Sequence, residues 1–218
     1  HLQPVKDIAT MELPSFLNLK VDLAVVGGGP AGYMAAITAA EAGVRSVLVL
    51  EASSRPLEKV RISGGGRCNV THACWDPSEL VCNYPRGKQP LLGPFSRFAP
   101  GDVVSWFEAK GLKLVIEPDG RMFPASNTSA DVINCLQNAA NDLGVTLRKL
   151  SSVIDLKDLG SDGFALKCRD GTNIFAQKIL LSTGSHPTGR RLARNLGHSL
   201  IESVPSLFSF HPLLQFQG

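Results

Sequence analysis

The chain has 218 residues, 44% of them hydrophobic and 19% charged, with a formal net charge of +3. That balance excludes an intrinsically disordered chain, and the length lets one α/β domain, or one domain plus part of another, bury a core. No apolar run approaches the ~20 residues a membrane span needs, and three surplus positive charges leave no electrostatic footprint for nucleic acid.

Residues 1–20 read as a leader into the first strand. The sequence opens at His1, as it would after removal of an organelle-targeting segment or through cloning. Val21 to Val26 is a short apolar run stopped by Gly27-Gly28-Gly29, and Pro30 suits the first position of a helix over Ala31 to Ala42. Gly43 ends that helix, and a second apolar run, Ser46 to Leu50, closes on Glu51. Strand, glycine turn, helix and strand in so few residues make a right-handed parallel βαβ unit.

Ala52 to Pro100 is rich in Gly and Pro and poorly periodic, which predicts a long excursion with short helices. A helix capped by Asp102 then runs to Lys110. Lys113 to Ile116 and Arg121 to Phe123 flank the turn Glu117-Pro118-Asp119-Gly120 as a hairpin. Ser129 to Leu143 carries apolar residues at helical spacing, and Val145 to Leu147 reads as a short parallel strand. Three runs, Val153 to Leu156, Gly163 to Cys168 and Thr172 to Phe175, are separated by turn residues and predict an antiparallel meander. A further buried strand, Lys178 to Ser182, ends in Thr183-Gly184.

Gly27-x-Gly29-x-x-Gly32 thus lies between a strand and a helix, with Glu51 nineteen residues after Gly32. Gly27 permits the tight turn, Gly29 lets backbone approach a pyrophosphate, and Gly32 lets the helix pack closely on the sheet. The helix start offers unpaired N–H groups to phosphate, and Glu51 can accept from both ribose hydroxyls. A second cluster reads Lys59-x-x-x-Ser63-Gly64-Gly65-Gly66-Arg67-Cys68-Asn69. Three glycines fit where backbone passes a planar or anionic ligand. Lys59 and Arg67 can neutralise phosphate, and Ser63 and Asn69 can supply directed hydrogen bonds. A flexible linker, the competing account, does not call for Ser, Arg and Asn at fixed places.

Five cysteines, Cys68, Cys74, Cys82, Cys135 and Cys168, lack the dense even spacing of a secreted disulfide framework, and a reducing compartment is expected. Cys68 and Cys74 on a helix would point about 240° apart with a rise of about 9 Å, outside disulfide reach. Cys68, His72, Cys74 and Cys82 match no usual zinc spacing, so no metal is expected. Arg190, Arg191 and Arg194 read as a solvated helix face, and His186 and His198 as ordinary surface or boundary residues.

In their order, Gly27 to Gly32, Glu51, Ser63 to Asn69, Glu117 to Pro124 and Leu181-Ser182-Thr183-Gly184 resemble the HI0933-like family of FAD-dependent oxidoreductases. Leu196-Gly197-His198 and Val204-Pro205-Ser206-Leu207 resemble its plant and cyanobacterial version. The resemblance implies a Rossmann-like FAD/NAD(P)-binding α/β domain: a parallel sheet with helices on one side and an antiparallel β-meander crossover on the other. It implies FAD on Gly27, Gly29, Pro30, Ala31 and Gly32, with the ribose at Glu51 and Ala52. Lys59 and the Ser63, Gly64, Gly65, Gly66, Arg67, Cys68, Asn69 loop would lie near the pyrophosphate and flavin. Val153 would meet the adenine, and Thr183 and Gly184 would form the second contact. Where the family more often has Ala-Thr-Gly, this chain has Ser182 before Thr183.

The implied organisation is a leader (1–20), an FAD-binding domain (21–199) without its carboxy-terminal return segment, and the start of a truncated substrate domain (200–218). The expected function is a flavoprotein oxidoreductase passing hydride or electrons through flavin N5, with a small-molecule substrate or electron partner that the sequence does not identify. A non-catalytic FAD-binding or interaction module remains the alternative. An NAD-dependent dehydrogenase would leave Ser63–Asn69 and Thr183-Gly184 unexplained. The expected location is intracellular, in an organelle such as the chloroplast or mitochondrion.

Overall fold

Strand β1 (Asn18–Val26) occupies the middle of a six-stranded sheet and pairs in parallel on both sides. The computed structural model describes residues 18–204. The expected leader over 1–17 and the expected start of a further domain over 205–218 lie outside the described residues. Because β1 begins at Asn18, the last three residues read as leader belong to the sheet.

Helix α1 (Pro30–Glu41) leads to β2 (Val47–Leu50), whose four residues are all buried. This is the apolar run expected of a parallel strand covered on both faces. The excursion that follows holds α2 (Glu58–Ile62), a 3-10 turn at Ser63–Gly66, β3 (Thr71–His72), α3 (Pro77–Leu80) and α4 (Lys88–Phe95). Helix α5 (Pro100–Ala109) starts two residues before Asp102. Ala99 is its N-cap, and Asp102 accepts from the Ala99 N–H at 2.7 Å. The expected cap therefore acts from inside the first turn.

Strands β4 (Leu114–Ile116) and β5 (Arg121–Pro124) form the hairpin, and β3 joins it in a small sheet ordered β3-β5-β4. Helix α6 (Ser129–Asp142), capped by Thr128, precedes β6 (Thr146–Arg148), β7 (Val153–Asp158), β8 (Phe164–Cys168), β9 (Asn173–Leu181) and α7 (Pro187–Asn195).

The large sheet is ordered β6-β2-β1-β9-β8-β7, parallel from β6 to β9 and antiparallel from β9 to β7. The sequence divides Thr172–Phe175 from Lys178–Ser182, but the structure runs them as one nine-residue strand. No turn residue interrupts Ala176-Gln177, and pairing with β1 continues from Asn18↔Asn173 to Val26↔Leu181. The meander is thus an extension of the parallel sheet, joined through β9.

Strand alternation separates two apolar clusters. Val25, Val47 and Val49 face α1, α5 and α6 through Ile37, Phe107, Val132 and Leu136. Ala24, Val26, Leu48 and Leu50 face the other way, toward Val153, Leu156, Leu166, Ile174 and Leu192 of α7. The sheet is covered on both sides, leaving the carboxyl ends of its parallel strands as the open edge. No helix among the described residues is long and apolar enough to cross a membrane.

Candidate functional site

The carboxyl ends of four parallel strands form a stepped ledge. Glu51 N donates to Arg148 O, Gly27 N to Leu50 O and Ser182 N to Val26 O, each at 2.9 Å. Open α/β sheets place ligands along this edge. A cavity of about 400 Å³ lies there, walled by the glycine turn, the chain after β2, Ser151–Val153, and the turn from β9 into α7.

The three fingerprint glycines divide the work. Gly27 has φ +116°, and a Cβ there would lie 2.5 Å from Ser182 O. A Cβ at Gly32 would overlap Gly27 O and approach Ser182 Oγ to 2.8 Å, so α1 can seat on β1 only if this residue is glycine. Ser182 reinforces that seat by donating to Val26 O (3.1 Å) and Gly27 O (2.9 Å), a role the sequence did not signal. Gly29 differs: a Cβ there would meet no protein atom within 4 Å, and the residue lines the cavity. Gly29 is also the N-cap of α1 and offers no side-chain acceptor, so the helix start presents unpaired N–H groups. Open space beside an uncapped helix start suits a diphosphate.

Glu51 is tied to this turn. One carboxylate oxygen accepts from Gly28 N (2.9 Å) and the other from Ser53 N (2.7 Å). Each oxygen keeps acceptor capacity for a ribose hydroxyl. Leu57 N donates to Gly28 O (2.9 Å), and Leu57 itself is fully buried with φ +59°, a conformation that costs a bulky residue roughly 1–2 kcal/mol. Lys59 Nζ reaches across to Ser185 Oγ at 2.6 Å.

Of the residues singled out from the sequence, Gly27, Gly29, Pro30, Ala31, Glu51, Ala52, Lys59, Val153, Thr183 and Gly184 line the cavity, and Gly32 packs behind it. The structure does not bring Ser63, Gly64, Gly65, Gly66, Arg67, Cys68 or Asn69 to this wall. That loop is fastened to the β4–β5 hairpin. Arg67 Nη1 donates to Glu117 Oε1 (2.6 Å) and Asn127 Oδ1 (3.3 Å), with the guanidinium 3.9 Å from the Phe123 ring centre. The Asn69 amide nitrogen donates to Met122 O (3.2 Å) and Thr71 O (2.8 Å). Gly64 is left-handed and packs against Asn69 and Phe123, whereas Gly65, also left-handed, borders open space. Lys59 alone of the two proposed phosphate-neutralising cations stands at the cavity.

Ser53, Arg55, Leu57, Ser151, Ser152, His186 and Thr188 also line the cavity and were not anticipated. All but Thr188, which sits in the first turn of α7, are carried there by loop or cap positions whose course the sequence does not set.

Burial pushes the Cys68 thiol up, against a smaller opposing effect of its hydrogen bond with Ser63. The protonated thiol is a poor nucleophile. All five cysteines are free, and no group of three or more His, Cys, Asp or Glu side chains among the described residues could hold a metal ion.

Strand, glycine turn and helix, with a carboxylate closing the next strand and a cavity on the carboxyl edge, define a dinucleotide-binding Rossmann-type domain. The family model described as "HI0933-like protein Rossmann domain" matches residues 21–204, and the chain belongs to this family of FAD-binding flavoproteins. It is 29% identical over 209 residues to the 3-dehydro-bile acid delta(4,6)-reductase of Clostridium scindens, covering 90% of this chain and 50% of that protein. Its identity to the ribosomal RNA dihydrouridine synthase of Escherichia coli is 26% over 208 residues, again 90% of this chain and 50% of the other. The chain therefore spans about half the length of the curated relatives it matches. In fold it is similar to FrdA of E. coli quinol fumarate reductase, with a TM-score of 0.58 at 18% identity, covering 78% of this chain and 33% of that one.

Proposed function

We propose that the chain is the FAD-binding portion of an oxidoreductase. The observation that carries this reading is Gly29: its missing side chain leaves open space where an uncapped helix start meets the cavity. Gly27, Gly29, Pro30 and Ala31 hold the diphosphate at that helix start, and Lys59 neutralises part of its charge. Glu51, braced by Gly28 and Ser53, accepts from the adenosine ribose beside Ala52. Val153 borders the adenine, and Thr183 and Gly184 close the opposite wall. The Ser63–Asn69 loop serves the flavin end, a reading supported by the open side of Gly65 and the bracing of Arg67 by Glu117.

Bound FAD supplies hydride or electron transfer at flavin N5. The chain contributes binding, orientation and electrostatics to a small-molecule substrate or electron partner. Purified protein tests the reading. The yellow flavin absorbance, bleached by dithionite and restored by air, is expected; colourless protein that takes up no added FAD refutes it.

A second reading, which the same cavity fits, is an FAD-binding or interaction module without turnover. Protein that holds FAD but sustains no electron flow from NADH or NADPH to any acceptor supports the module. A chloroplast location is proposed from the plant- and cyanobacterium-like version of the motifs; a fluorescent fusion to the complete reading frame, imaged in leaf cells, tests it.

A further inference from the structure

The turn between β9 and α7 fixes His186 from several directions. Its N–H donates to Thr183 O (3.2 Å), Thr183 Oγ1 donates back to His186 O (3.4 Å), and Pro187 follows at the first helical position. Gly189, in the first turn of α7, packs so closely on Thr183 that a Cβ there would overlap its hydroxyl. The imidazole is fixed as well: Nδ1 accepts from Thr188 N (3.3 Å) and caps α7. A ring nitrogen that accepts carries no proton, so the neutral ring keeps its hydrogen on Nε2. Among the described residues Nε2 has no protein partner, and the residue lines the cavity with Gly184 and Lys59.

We infer that His186 is a cofactor-contacting residue whose Nε2–H donates to a diphosphate oxygen of the bound dinucleotide. This rests on the reading of the cavity as an FAD site. The chemistry selects an anionic oxygen. The tautomer imposed by the cap makes Nε2 a committed donor, and Lys59, bridged to the neighbouring Ser185, brings positive charge to the same turn. A donor held by a capped helix and a closed turn loses little freedom when it meets its acceptor, so the contact adds to affinity without an ordering cost.

Two substitutions separate the two nitrogens. His186→Asn keeps an oxygen in the capping position but is too short to reach where Nε2 lies. His186→Gln keeps a distant amide donor but loses the capping acceptor. The 218-residue chain is titrated with FAD and with ADP, and melting is followed without ligand. His186→Asn is expected to melt within about 1 °C of wild type, asparagine being as good a cap. Its Kd for both FAD and ADP should rise roughly tenfold. His186→Gln should melt about 2–4 °C lower while holding FAD within about threefold of wild type.

FAD and ADP binding by His186→Asn as tight as wild type would overturn the inference and leave the FAD reading standing. Loss of FAD affinity with ADP affinity unchanged would overturn the diphosphate as the acceptor. Wild-type protein that takes up no FAD overturns the FAD reading and this inference with it.

Discussion

Gly29 and Gly32 stand three residues apart in one motif, yet their alanine variants should fail in different ways. At Gly32 the new methyl would overlap Gly27 O, lie 2.8 Å from Ser182 Oγ and crowd the Gly27 carbonyl carbon at 3.2 Å. Two of these atoms are backbone, so α1 must withdraw from β1 by an amount on the order of an ångström. Overpacking of this kind costs about 1–3 kcal/mol, and disturbing the Ser182 hydrogen bonds to Val26 and Gly27 adds about 1 kcal/mol. Better helix propensity returns about 1 kcal/mol. The net loss of about 1–3 kcal/mol should lower the Tm by roughly 2–12 °C at 2–4 °C per kcal/mol for a domain this size.

At Gly29 the backbone (φ −84°, ψ −177°) suits any residue and the methyl meets nothing. The cost there is the poorer cap that alanine makes, about 1 kcal/mol or less. The same methyl occupies the approach to the helix N–H groups, and FAD affinity should fall by two orders of magnitude or more, about 3 kcal/mol or above. Differential scanning calorimetry of cofactor-free protein and quenching of flavin fluorescence read the two quantities. If Gly29→Ala melted as low as Gly32→Ala, or bound FAD as tightly as wild type, the division of labour within the motif would be wrong.

Glu51→Ala should weaken FAD binding by about 1–3 kcal/mol, roughly 5- to 150-fold by isothermal titration calorimetry, because it removes charge-assisted ribose bonds and frees the Gly28 and Ser53 N–H groups. Iodoacetamide at neutral pH should label exposed Cys82 first. Cys168, fully buried and pushed up to about 11 chiefly by that burial, should stay unlabelled until the chain unfolds, as read by peptide mass spectrometry. Asp170 is held below the usual carboxylate range by the Thr172 N–H and the Arg148 guanidinium. A depressed folded pKa gives stability that is present above the unfolded value of about 3.9 and lost as pH falls through the folded one. Asp170→Asn should therefore melt below wild type at pH 6, by no more than about 1 kcal/mol at this exposed site, and the gap should close below about pH 4.

The βαβ unit and its glycine turn were legible in the sequence because both are local. Pro30, the three glycines and Glu51 sit within one short span, and the pattern they make can be read there even though Gly27 and Gly32 also pack against the distant Ser182. The loop from Ser63 to Asn69 was legible as a special conformation but not in its placement. Its anchors, Glu117 and Phe123, lie some fifty residues on, and nothing in the arginine says which acid it will meet. His186 was passed over because a histidine before a proline signals little by itself. Its capping role exists only once α7 starts there, and its place at the cavity follows from the registry of β9 beside β1. Leu57 illustrates the opposite limit: a left-handed conformation is expected of Gly or Asn, and a buried leucine gives no hint of it. The joining of the third meander run to the Thr-Gly strand was hidden at Ala176 and Gln177, which fall between the two runs, although the ladder with β1 runs through them.

The pairing of β1 with β9 joins the first described strand to the last. The Ser182 hydroxyl that braces the glycine turn bonds a carbonyl 155 residues earlier. During synthesis β1 and β2 can pair early, but the other edge of β1 must wait until residue 181 has left the ribosome, with its backbone donors and acceptors unclaimed meanwhile. Closing so long a loop is slow, and an unclaimed apolar edge invites pairing with other chains. The cavity takes one wall from each of these distant strands, so its assembly coincides with the last step of sheet formation. Its ligand cannot nucleate folding and instead captures the finished sheet. Nascent chains cut before β9 should accumulate as aggregates, and added FAD should rescue only chains that reach past Gly184.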